Sequence, residues 1–90
     1  MNKERRQKLS ALAEYIEKAK SVIEEIKTDL ETARDEEQEY FDAMPESLQG
    51  GEKGSAAESA ISEMEDAISM LEDADTALDS AMSNLEQAQA

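Results

Sequence analysis

The side chains here that could do chemistry are serine hydroxyls, lysine amines and a large excess of carboxylates. Ser10, Ser21 and the serines of the C-terminal third have no histidine to activate them, because the chain contains neither histidine nor cysteine. Thiol nucleophiles, disulfide staples, zinc sites of the usual Cys/His kind and the commonest general base are thereby excluded. Lys18, Lys20 and Lys27 recur on a polar helix face, the pattern of solvated surface. Two carboxylates could share acid–base work only in a concave, partly dry site. The run DEEQEYFD lacks the alternating Asp/Asn ligands and central glycine of a calcium loop. Carboxylate-bridged metals in helical bundles recruit a Glu-x-x-His pair, which this composition cannot supply. The expectation is a protein that is not an enzyme and has no metal and no cofactor.

The net charge of −14, from 23 acidic and 9 basic side chains, argues against direct binding to nucleic acid or to anionic membranes. A basic partner would be attracted. Five acids in eight residues occupy the stretch from Asp35 to Asp42, where negative charge opposes the dipole of a helix C-terminus. Two of the three aromatics, Tyr40 and Phe41, stand there too. Local rules are broken in this stretch alone, and such places are often functional. Asp35, Glu36, Glu37, Glu39, Tyr40, Phe41, Met44 and Pro45 are therefore candidates for a partner-binding tip. The competing reading is a cap, with Tyr40, Phe41, Met44 and Leu48 closing an apolar end while the acids face water.

The elements that must position these residues follow from periodicity. From Ala56 the chain divides into five sevens. Ala57, Met64, Leu71, Leu78 and Leu85 form one column, and Ala60, Ala67, Ala74, Ala81 and Ala88 another, three and four residues apart in alternation as in a coiled-coil seam. A third column, Glu58, Glu65, Glu72, Asp79 and Glu86, is acidic throughout. Its repeat of about 10.5 Å along a helix is a sparse imitation of phosphate spacing, which Asp66, Asp73 and Asp75 make denser. In the N-terminal half, Leu9, Ile16, Ile23, Leu30 and Met44 share a column that Glu37 interrupts, and Leu12, Ala19, Ile26, Ala33 and Tyr40 fill the next. The spacing predicts a first helix over about 3–43, a loop with a short turn at 44–55, and a second helix over about 56–88. Pro45 stops the first helix, Gly50, Gly51 and Gly54 let the chain reverse, and Ser55 with Glu58 reads as a capping box.

So short a connection makes the fold an all-α antiparallel helical hairpin, one domain over 1–90. Setting Ala43 opposite Ala56 makes partner numbers sum to about 99, so Ile23 lies near Ala74 and Leu78. Residues before about Ala11 then overhang, and KERRQK holds four of the nine basic side chains. Tyr15 and Val22 on the first helix, with Ile61, Ile68, Met70 and Met82 on the second, flank this seam as surplus apolar surface. They are candidates for a dimer interface that would build a four-helix bundle.

The run DEEQEYFDAMPESLQ, followed by the serine-capped AISEMEDAISMLEDA helix, resembles small acidic proteins encoded by bacteriophages and prophages, over roughly residues 35–86. The resemblance implies an accessory protein of the bacterial cytoplasm that binds or modulates a host or defence protein. An acidic DNA mimic that inhibits a nucleic-acid-binding defence enzyme is the alternative, and a self-assembling structural coiled coil is a third. The charged start MNKERRQKLS has no apolar core of signal-peptide length, and no segment has the ~20 apolar residues that span a bilayer. The expected location is cytoplasmic.

Overall fold

The computed structural model describes residues 1–90 as three helices: α1 (Lys3–Asp42), α2 (Glu46–Gln49) and α3 (Glu52–Ala88). α1 and α3 pack along their length as an antiparallel hairpin of 68 × 15 × 13 Å. No helix is long and apolar enough to cross a membrane. The start of α1 is capped by Asn2, whose side-chain oxygen accepts the backbone N–H of Arg5 at 2.8 Å. Its end falls at Asp42, just before Pro45, which lacks an amide hydrogen and disfavours helical geometry at Met44; Pro45 itself, at φ −58, ψ 147, is the N-cap of α2.

The pairing rule holds. Ser10 donates to Gln89 at 3.1 Å, and Lys20 bonds Asp79 while Lys27 lies 3.7 Å from Glu72. Each of these pairs sums to 99. Leu9 is half-buried at the open end, so the overhang is the stretch before it.

The seam itself differs from the sequence expectation on both helices. On α1, the Leu9, Ile16, Ile23, Leu30 and Met44 column faces α3 as expected. Its companion column is Ala13, Lys20, Lys27, Arg34 and Phe41, four residues on, whereas Leu12, Ala19, Ile26, Ala33 and Tyr40, three residues on, are exposed. On α3, Ile61 and Ile68 are buried at 8% and 6% exposure and Met82 is half-buried. These three belong to the hairpin's own core and leave the set of dimer-interface candidates. The alanine column of α3 lies at the edge of the seam. Both seam choices have the 3/4 alternation of a heptad, and isoleucine buries far more apolar area than alanine, so α3 turns its isoleucines inward.

The tip also departs from expectation. α3 starts at Glu52, a turn before the Ser55 capping box; Gly51 is its N-cap without a side-chain bond, and Ser55 donates its backbone N–H to Gly51 at 2.9 Å. The longer α3 takes in Lys53, its one basic residue. No glycine has positive φ. Gly54 serves close approach instead: it is buried, and a Cβ there would stand 2.6 Å from the Cα of Gln49 and overlap its carbonyl. Gln49 in turn donates its side-chain amide to the carbonyls of Phe41 at 3.1 Å and Met44 at 3.2 Å, at the end of α1, where carbonyls lack i+4 helical partners; the Phe41 carbonyl also accepts the Met44 N–H at 3.1 Å. One glutamine thus ties α2 to the end of α1 and, through its backbone, to the start of α3.

Candidate functional site

The tip residues separate into two sets. Glu37, Phe41 and Met44 are half-buried on the side of α1 that meets α3, so the aromatic ring and the thioether belong to the packing of the hairpin end. Asp35, Glu36, Glu39, Tyr40 and Pro45 face water, Asp35 being held by Arg34 at 3.1 Å. Leu48 is 49% exposed and closes little. The structure therefore gathers three carboxylates, the Tyr40 ring and Pro45 on the outer surface of the tip and withdraws Phe41 and Met44 from it. No three carboxylates converge as metal ligands would.

Along the shaft, the two sides of the hairpin differ in chemistry. On one side Lys20 and Lys27 lie beside α3 with their stems largely covered, and their ammonium groups reach Asp79, Asp75 (4.0 Å) and Glu72. The hydrogen bond that Lys20 donates to Asp79, aided by the field of Asp75, holds the lysine above its ordinary value. Two of the five acids in the α3 column are in this way engaged with lysines of the same chain. The column is not a free row of charges.

On the other side the surface is apolar and open. Leu12, Tyr15, Val22 and Ile26 are 42%, 64%, 52% and 47% exposed, and Met70 of α3 is 71% exposed. Ile26 and Leu30 line one shallow groove together with Ala67, Met70 and Leu71, which places the exposed stripe of α1 and the alanine edge of α3 on the same side. Tyr15, Val22 and Met70 are the interface candidates that remain outside the core. Sequence reasoning missed Leu12 and Ile26 as surface residues because it assigned their column to the seam. The lysines at Lys20 and Lys27, spaced by seven on the other flank of the same stripe and facing an acidic partner helix, were the signal that could have reversed that assignment.

No protein family, curated protein or solved structure matches the chain.

Proposed function

We propose that the chain acts by binding polypeptide partners along its side, as a non-enzymatic interaction module. The observation that carries this reading is the apolar stripe of α1, from Leu12 to Ile26, left in water by a hairpin that has already closed its core. A soluble helix gains nothing from holding Tyr15, Val22 and Ile26 in solvent, whereas contiguous apolar surface is the usual ground of an interface. The acidic outer tip would orient or select a partner by its charge. The resemblance of the tip segment to small acidic phage proteins makes a bacterial protein the target class. The DNA-mimic reading has less support, since Asp79 and Glu72 are engaged within the hairpin.

The test is capture from bacterial lysate by immobilised wild-type chain, beside Val22→Asp and Tyr40→Ala. A stoichiometric protein lost with Val22→Asp supports the reading. Capture that survives Val22→Asp and depends on Tyr40 moves the site to the tip, and recovery of a DNA-binding enzyme released steeply by salt would favour the mimic.

A further inference from the structure

α1 carries a second heptad stripe about a quarter turn from the one that meets α3. Its middle is Leu12, Tyr15, Ala19, Val22 and Ile26, alternately three and four residues apart and all exposed. The same spacing carried toward the N-terminus reaches Lys8 and Arg5. Carried the other way, it reaches Asp29, Ala33 and Glu36. None of these charged residues forms an ion pair within the hairpin. The stripe is thus basic at one end, apolar in the middle and acidic at the other.

That order is self-complementary. Leu12 and Ile26 stand equally far from Ala19 on either side, Tyr15 and Val22 nearly so, and Lys8 and Asp29 nearly so. A parallel second copy would set Lys8 beside Lys8 and Asp29 beside Asp29. An antiparallel copy sets apolar residues against apolar residues and base against acid at both ends at once. The N-terminal overhang, which has no partner on α3, then lies on the second copy's α1.

We propose that this stripe docks a second copy of the chain, antiparallel, with the two-fold axis at Ala19 and Lys8 of each copy beside Asp29 of the other. The proposal rests on the reading of the stripe as an interaction surface and names its occupant. Size agrees: residues 1–37 of the two α1 helices would overlap over about 54 Å. With a hairpin about 15 Å wide, that is roughly 800 Å² from each partner, the size of a stable interface. α3 agrees as well. By the sum of 99, Ala19 is level with Ser80, and around it stand the exposed Ala77 and the half-buried Ala74 and Ala81. Small side chains there allow the two α3 helices to approach.

Sedimentation equilibrium of the full chain near physiological salt tests the register. Wild type should be a dimer. Lys8→Glu and Asp29→Lys should each weaken it about tenfold, and the two together should restore it. Asp29→Lys is the sharper of the two, because it makes the net charge of −14 less negative and would strengthen association if only the repulsion between acidic chains mattered. In the cysteine-free background, Ala19→Cys should link to its own counterpart on mild oxidation. Ala33→Cys, about 42 Å from its counterpart, should not. A dimer in which Asp29→Lys is tighter, or in which the double variant is weaker than either single one, overturns the proposal, as does equal cross-linking at Ala19 and Ala33. A monomer overturns it too. If that monomer captures a bacterial protein through Val22, the wider reading stands; if it captures nothing, both fall.

Discussion

The two stripes of α1 invert the simple rule that apolar residues go inside. The stripe that packs on α3 includes Lys20, Lys27 and Arg34, and the stripe left in water holds Tyr15, Val22 and Ile26. The difference lies in what α3 offers. Ile61 and Ile68 supply enough buried apolar surface for the seam to close, and the methylene stems of the lysines extend it while their charged heads reach the rim. There Asp75, Asp79 and Glu72 stand opposite. Had α1 turned its Leu12–Ile26 flank inward, those lysines would have pointed away from the acids of α3. Charge matching thereby chooses between two apolar pairings of equal spacing.

The largest effect that could break this comparison is a charge in each stripe. Ile68→Asp places an unpaired carboxylate in the core and should cost several kcal/mol, about 3–5, enough to unfold a domain of this size. Val22→Asp in dilute monomer should cost less than about 1 kcal/mol. Urea denaturation followed by circular dichroism reads both, and equal losses would mean that the stripes are assigned the wrong way round.

Next in size is the tip. Alanine is ordinarily the better helix former by about 1 kcal/mol, yet Gly54→Ala should destabilise by about 2 kcal/mol because its Cβ meets the Gln49 backbone. Gly50→Ala, with open space around it, should be neutral or slightly stabilising. Thermal melts of the pair decide whether the crossing at Gly54 is as tight as described.

A smaller effect probes the ion-paired side by pH. The lysine value of Lys20 is raised in the folded state, so its contribution is fully present below the ordinary value of 10.5 and is lost as pH rises through the higher folded value. The melting temperature should fall more steeply above that point in wild type than in Lys20→Met. At neutral pH that variant should melt close to wild type, since exposed pairs contribute little. Parallel pH curves would remove the pairing from the account. Smallest of all are Glu65→Gln and Ser69→Ala on exposed positions, expected within about 0.5 kcal/mol; a larger shift at either would place it in a contact that the hairpin does not have.

The hairpin and its register were legible in the sequence because one short punctuated segment between two periodic runs leaves only one way to pair them. Ser10 with Gln89 and Lys27 with Glu72 confirm the sum at both the end and the middle. The choice of seam was not legible from either helix alone: a stripe three columns wide offers two heptad seams, and only the partner's isoleucines and acids separate them. Ser55 and Glu58 form a capping box in sequence but not in space, because Gly51 already satisfies the entry to the helix and packing at Gly54 draws the extra turn in. The tip aromatics look alike in the sequence. A single residue, about 100° of helical phase, separates a half-buried Phe41 from an exposed Tyr40, and which of the two turns inward follows only once the seam is known.

The tie at Gln49 and Gly54 also bears on the order in which the molecule assembles. Because paired positions sum to a constant, the chain enclosed between partners lengthens by two residues for every step away from the tip. From the tie at the tip, where Gln49 and Phe41 are 8 residues apart outside that register, the separation grows to 79 between the paired Ser10 and Gln89. Closing the longer loop first would cost about 2 kcal/mol more in chain entropy. Assembly should therefore begin at the turn and run outward like a zip, each ring of contacts shortening the effective loop for the next. The same gradient in reverse describes opening. Amide exchange should be slowest around Ile61 and Ile68 and quickest beyond Leu9 and Leu85, so the basic arm at the open end spends the most time loose, at the cheapest place for this fold to come apart.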